Sequence, residues 1–127
     1  MNGCGLFKNI KWYYQRATRG WADCDAWSIN GYLNDLLPDI IRSLKGGVGC
    51  PGDLYDNTKK NNECWRWEEI LESIIQGFIA AKELGELHYM TYSEKGLIAD
   101  EKKRENLINK YNIGMDLFRK YYMNLWD

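Results

Sequence analysis

Three observations predict an all-α fold, a compact bundle of about four helices with the second kinked at Pro38. Four segments carry apolar residues at three- and four-residue steps, the spacing that lines one face of a helix. No stretch alternates apolar and polar residues between turn signals, so no strand is expected. The 127 residues are 45% hydrophobic and 28% charged, with a mean hydropathy of -0.57, the makeup of one soluble domain spanning 1–127. Such a chain can bury roughly two thirds of its unfolded surface. Four amphipathic stripes each need a covering partner, and a bundle is the smallest arrangement that covers them all.

The first helix is expected from about Phe7 to Thr18, with Phe7, Ile10, Tyr13 or Tyr14, and Ala17 on its stripe and Gly20 ending it. A second starts after Asp25 and carries Trp27, Tyr32, Leu33, Leu36, Leu37, Ile40, Ile41 and Leu44. Asp25 or Ser28 is its natural N-cap, because a short side-chain oxygen accepts from the orphan N–H groups of a first turn. Pro38 has no N–H to give, so a kink near Asn34 is expected, with the apolar periodicity continuing on both sides. From Gly46 to Asn62 glycine, asparagine and aspartate dominate and apolar periodicity stops, which marks the longest loop. A third helix covers roughly Glu63 to Leu84, with Trp67, Ile70, Leu71, Ile74, Ile75, Phe78 and Ile79 on one face and Gly85 as a candidate C-terminal cap. The stretch from Glu86 to Leu97 reads equally as a loop or as a short helical turn presenting His88, Tyr89 and Tyr92. A last helix from about Asp100 to Leu125 carries Leu107, Ile108, Tyr111, Met115, Phe118, Tyr121, Tyr122 and Leu125.

Charge and cysteine content narrow the function classes. Seventeen Lys and Arg against eighteen Asp and Glu give a net charge of -1, so nothing global favours double-stranded nucleic acid or an anionic membrane. No apolar run approaches the roughly 18 to 20 residues needed to span a bilayer. Cys4, Cys24, Cys50 and Cys64 form no CxxC pair and follow no leader-like apolar segment, which is the pattern of free thiols or apolar fillers in a reducing cytoplasm. A zinc site built from Cys24, Cys50, Cys64 and His88 would need four separate segments without short ligand spacing, and no metal is assigned. His88 has no nucleophile elbow around it, so no catalytic residue and no cofactor is assigned either. Six Trp, nine Tyr and three Phe exceed what a small helical core needs, so some rings are expected at a surface or in a pocket.

The densest constellation, RATRGWADCDAWSINGY from Arg16 to Tyr32, lies at the joint between the first two helices. Arg16, Arg19, Trp21, Asp23, Asp25 and Trp27 are the candidate ligand-binding residues. Two arginines beside a helix N-terminus suit an anion such as a phosphate, with Trp21 free to stack on a base. The same residues equally make a purely structural joint, in which Asp23 or Asp25 caps the helix and pairs with Arg16 or Arg19 while Trp21 and Trp27 wedge the helices together.

Two further patterns carry weaker signals. Glu68, Glu69 and Glu72 form an EExxE motif in which acids three and four residues apart share a face and suit a divalent cation such as Mg²⁺. Helical nucleotide pyrophosphohydrolases use this pattern followed by ExxD on the next helix, and that second half is missing here; acids in the first turns of a helix also complement its dipole. Tyr89, Tyr92, Tyr121, Tyr122 and Trp126, interleaved with Lys102, Lys103, Arg104, Arg119 and Lys120, would suit single-stranded nucleic acid, but Glu101, Glu105 and Asp116 interrupt the positive run in the manner of a solvated helix face.

The Arg16–Trp27 block resembles that of a family of small phage and prophage proteins of no assigned activity, marked by R-x-x-R-G-[FW]-[AS]-D-x-D-x-W, a GxPG-type loop and an F-x-K-[YF]-[YF]-x-x-L-W-D ending. The matching residues are Arg16, Arg19, Gly20, Trp21, Asp23, Asp25 and Trp27, then Gly49, Cys50, Pro51 and Gly52, then Phe118, Lys120, Tyr121, Tyr122, Leu125, Trp126 and Asp127. The resemblance implies a viral origin and action in the host bacterial cytoplasm. The expectation is therefore a non-enzymatic binding protein, which engages a host or phage protein or sequesters a small nucleotide-like anion as an anti-defence factor. The alternatives are a Mg²⁺-dependent nucleotide pyrophosphohydrolase using Glu68, Glu69 and Glu72, or a virion or assembly component whose aromatic surplus serves homo-oligomerisation.

Overall fold

The computed structural model describes residues 6–47, 51, 65–90 and 101–126, and the expectations for Cys4, Cys50, Cys64, Tyr92 and most of the 46–62 loop lie outside them. The chain is all-α. Helices α1 (Leu6–Arg19), α2 (Asp23–Trp27), α3 (Ile29–Ser43), α4 (Trp65–Met90) and α5 (Glu101–Tyr121) follow in order, and a 3-10 turn at Tyr122–Asn124 ends the series. No strand occurs among the described residues. None of these helices is long and apolar enough to cross a membrane. The chain divides into two compact units, Met1–Leu33 and Asn34–Asp127.

In the first unit α1 stops where glycine permits it. Gly20 adopts φ +84, a left-handed conformation costly to any residue with a Cβ, and its N–H returns to the Arg16 carbonyl at 3.0 Å. The expected second helix is split at its start. Asp23–Trp27 forms a separate turn of helix, and Ser28 stands between it and α3, its carbonyl accepting from Tyr32 N–H at 3.0 Å. Ser28 thus takes the N-cap position of α3, while Asp25 lies inside α2 rather than capping the longer helix.

The second unit is built on α3 from Asn34 onward, α4 and α5. Helix α3 runs on through Pro38, which is buried; its missing N–H deprives the Asn34 carbonyl of the usual i+4 donor without ending the helix. The chain leaves α3 through i+3 turns, Leu44 N–H to Ile41 O and Lys45 N–H to Arg42 O, and then through Gly46 at φ +82. Asp35 pairs with Lys82 at 2.7 Å, and Lys45, ten residues on, pairs with Glu72, ten residues back, so α3 and α4 run antiparallel. The apolar face predicted for α4 is the core: Trp67, Leu71, Ile74, Ile75 and Phe78 are buried together with Ile41 of α3 and Tyr121 of α5. Trp67 meets Tyr121 edge-on at 5.5 Å and Phe78 meets Phe118 at 5.3 Å, the T-shaped geometry that ring quadrupoles favour.

Gly85 does not cap α4. The helix passes through it to Met90, so Glu86–Met90 of the ambiguous stretch is helical, because a lone glycine only weakens a helix whose preceding turns are anchored by packing. Gly77 has a different use. A Cβ on it would lie 2.7 Å from the Gly114 Cα, and one on Gly114 would lie 2.5 Å from the Gly77 Cα and 2.9 Å from the Ser73 carbonyl oxygen. Helices α4 and α5 therefore cross backbone to backbone at a point where no side chain fits.

The three glycines separate these effects. Gly114→Ala should destabilise the protein by about 1–3 kcal/mol, because it forces two packed backbones apart. Gly85→Ala, with open space around the position, should stabilise it by about 0.5–1 kcal/mol through helix propensity. Urea unfolding followed by circular dichroism measures both.

Candidate functional site at the first helical joint

The six candidate residues converge between α1 and α2, and every charged one among them finds a partner there. Asp25, only 7% exposed, accepts both Nε and Nη2 of Arg16, at 3.0 and 2.6 Å. Its other neighbours are the Ala22 N–H at 2.8 Å and the Cys24 thiol at 3.9 Å. Asp25 N–H in turn reaches the Ala22 carbonyl at 2.9 Å, so the third residue of α2 and its N-cap position are tied in both directions. Alanine offers no side-chain acceptor, and the carboxylate three residues on supplies the cap instead.

Asp23 closes the second half of the joint. It accepts from Gln15 Nε2 at 2.9 Å and from Arg19 Nη2, with Lys11 Nζ at 3.8 Å, while its own N–H donates to Gln15 Oε1 at 2.9 Å. Arg19 also donates through Nε to the Trp21 carbonyl at 2.9 Å and lays its guanidinium over the Trp21 ring, 3.8 Å from the centroid. Tyr32 donates its hydroxyl to the Gly20 carbonyl at 3.0 Å. Beneath this network Trp12, Ala22 and Cys24 form a small apolar core, on which Trp27 rests edge-on at 5.8 Å from Trp12.

The electrostatics follow from these contacts. The Arg16 hydrogen bonds hold the Asp25 carboxyl below its ordinary range against the opposing cost of burial, and the same pairing raises Arg16. Asp23 is held low by Gln15 first and Arg19 second. Two arginines are matched by two aspartates, and among the described residues no buried side-chain polar atom lacks a partner. An external anion would have to compete with carboxylates already in place. Helix α2 is also a single short turn, and its Asp23 N–H already donates to Gln15 while the Ala22 N–H just ahead of it donates to Asp25.

What the joint leaves open is apolar. Trp27 is 74% exposed, Trp21 is partly exposed, and Tyr13 and Tyr14 on α1 are each 69% exposed, with Ile10 beside them. The stripe expected to face the core of α1 therefore faces outward. The reason is geometric: Trp12, Gln15, Arg16 and Arg19 repeat at i, i+3, i+4, i+7, and Ile10, Tyr13, Tyr14 and Ala17 repeat at the same spacing two residues earlier, which sets the faces about 200° apart. The polar face holds α2, so the apolar face is turned away. Trp12 and Gln15 were not visible as site residues from the Arg16–Tyr32 block alone; their shared spacing with Arg16 and Arg19 was the available signal.

The other candidates resolve into structural contacts. Glu68 accepts the Gly46 N–H at 3.1 Å and Glu72 takes Lys45, with Gln76 Nε2 on its second oxygen at 2.9 Å. Two of the EExxE acids thus receive the end of α3, and Lys45 with Gln76 holds the Glu72 carboxyl low. Among the described residues no group of three His, Cys, Asp or Glu side chains is arranged to hold a metal. Tyr121 is buried under Lys120, whose Nζ lies 5.1 Å from its ring, while Tyr122, Trp126, Lys102, Lys103 and Arg104 are exposed. The side chains of His88 and Tyr89 lie outside the described residues. Cys24 is a free thiol.

Asp25→Asn should cost about 1–3 kcal/mol, the penalty of leaving Arg16 without its charged partner. A carboxylate held below its unfolded pKa stabilises fully above that unfolded value, and the contribution is lost as pH falls past it toward the lowered folded value. Acid unfolding of the native chain followed by tryptophan fluorescence should therefore steepen below the usual aspartate range, and Asp25→Asn should flatten that dependence. Compared with family models, curated proteins and solved structures, the chain matches none.

Proposed function

We propose that the chain is a non-enzymatic binding protein that engages a protein partner through the aromatic surface of its first unit, as a phage-type factor acting in a bacterial host. The observation that carries this reading is the exposure of Tyr13 and Tyr14 on the face of α1 turned away from α2, and of Trp27 on the other side, in a unit whose joint has its arginines and aspartates internally paired. Exposed apolar clusters on a polar frame suit protein recognition, and tyrosine and tryptophan supply contact area at little conformational cost. The phage-like pattern of the Arg16–Trp27 block supports the setting. The pairing of both arginines favours a protein partner over sequestration of a nucleotide-like anion, and the use of Glu68 and Glu72 by the end of α3 disfavours a Mg²⁺-dependent hydrolase.

Native mass spectrometry of the protein purified gently from phage-infected bacteria tests this. A stoichiometric protein partner is expected on the native chain and should be absent from the Tyr13→Ser, Tyr14→Ser, Trp21→Ser, Trp27→Ser variant, with circular dichroism confirming that helix content is kept. A copurifying nucleotide in place of a protein, turnover of a nucleotide panel with Mg²⁺, or a bare chain would each overturn it.

A further inference from the structure

The cations of the chain are not all engaged in the same way. Lys11, Arg16, Arg19, Arg42, Lys45 and Lys82 each lie within ion-pair distance of a carboxylate. Helix α5 holds six more, Lys102, Lys103, Arg104, Lys110, Arg119 and Lys120, all exposed, and among the described residues none of them pairs with an acid. Three acids accompany these six on α5, while the rest of the chain has eleven cations against fifteen acids. Arg104, Ile108, Tyr111, Met115 and Arg119 follow one another at steps of three and four residues, so they share one sector of the helix, about 80° wide at 3.6 residues per turn. Tyr122 continues the row from the 3-10 turn, its ring edge-on to Phe118 at 5.6 Å. Tyr111 is 39% exposed and Tyr122 61%. Glu105 and Asp116, which interrupt the positive run in the sequence, fall outside this sector, and Glu101 precedes Arg104.

We infer that this row of α5 is a binding surface for single-stranded nucleic acid, carried by the second unit and independent of the reading given for the first. Exposed rings offer bases a face on which to stack, and guanidinium groups without a carboxylate partner are available to phosphates. Arg104 and Arg119 stand about 22 Å apart along the helix with Tyr111 between them, a span of several nucleotides. Charge and shape select the occupant. A partner helix docks on a seam that is apolar throughout with its charges at the edges, whereas here arginine stands in the row itself at 104 and 119. A duplex is wider than the row and would bring its second strand toward Glu105 and Asp116, where like charges repel. A second copy of the row would meet these arginines with cations alone. A single strand is narrow, and it alternates what the row alternates, a planar base and a phosphate, against a ring and a guanidinium.

The test uses the full chain and a fluorescein-labelled oligothymidylate of about twelve nucleotides, within the range of single-strand site sizes. Oligouridylate, the corresponding duplex and polyglutamate serve as comparators. Fluorescence anisotropy at low salt is expected to report binding of the single strands. Tyr111→Leu together with Tyr122→Leu should weaken it about tenfold, because leucine keeps the packing on Phe118 but gives a base nothing to stack on. A seam for a partner helix would tolerate that change. Arg104→Gln together with Arg119→Gln should lower the slope of log affinity against log salt by about 1.4, two phosphate contacts at about 0.7 each. Circular dichroism checks that helix content is kept, and Tyr122→Leu alone serves if the double variant loses it. Tighter binding of oligouridylate assigns RNA and tighter binding of oligothymidylate assigns DNA, and either supports the inference. Absence of binding to both strands, or affinity unchanged in both double variants, would overturn it. So would polyglutamate bound as tightly, which makes the occupant an acidic protein segment, a duplex bound as tightly, which removes the stacking, or phosphatidylglycerol vesicles bound in preference, which makes it a lipid surface.

Discussion

A carboxylate taken out of water must be met by donors, and the first unit is organised around meeting that need at Asp25. Two guanidinium donors come from α1 and one backbone N–H from the entry to α2, so a single residue fixes the spacing of two helices and the path of the chain between them. A bidentate arginine pair suits this task because its planar fork constrains direction as well as distance. The Gln15–Asp23 exchange adds a second anchor with amide geometry, donating and accepting at once. Between them the two anchors hold a helix of five residues, far below the length at which a helix persists alone. The packing of Trp12 against Ala22 and Cys24 comes under the same constraint, because the ion pair fixes the side of α1 on which α2 must lie.

The second unit depends on a constraint of the opposite kind, the absence of side chains. Gly77 and Gly114 let α4 and α5 approach until backbone meets backbone, and that proximity brings Phe78 to Phe118 and Trp67 to Tyr121. Glycine in the middle of two helices costs conformational entropy, and here close interior packing offsets it. The polar contacts that orient α3, Asp35 with Lys82 and Lys45 with Glu72, set direction more than stability, since both are partly solvated.

These two constraints explain why the aromatic surplus ends where it does. In the second unit Trp67, Phe78, Phe118 and Tyr121 are drawn into a continuous apolar core, while Tyr111, Tyr122 and Trp126 stay exposed. In the first, the polar joint occupies the face of α1 that would otherwise be buried, and the rings on the opposite face stay in contact with solvent. The exposure of Tyr13 and Tyr14 is thus a consequence of how the charges are satisfied. Retaining such a surface is unfavourable for solubility, and the proposed binding role would give it a use.

The all-α class, the spans of α1 and α5 and the core of α4 were legible in the sequence, because a 3.6-residue apolar period over a long segment has one physical reading. The convergence of Arg16, Arg19, Asp23 and Asp25 was legible too, since residues so close along a turn cannot lie far apart. Which arginine met which carboxylate was not: that choice depends on the left-handed turn at Gly20 and on the break at Ser28, which together set the angle of α2. Nor could periodicity say which face of α1 would be covered, because it shows that a stripe exists and not that it has a partner. The end of α4 was misread at Gly85 for the same reason, a local glycine signal yielding to a helix already anchored upstream. Sequence by itself determined which segments become helices, because that is decided by contacts a few residues apart; tertiary structure decided which faces are buried and which glycines are indispensable, because those depend on how closely residues distant in the chain are brought together.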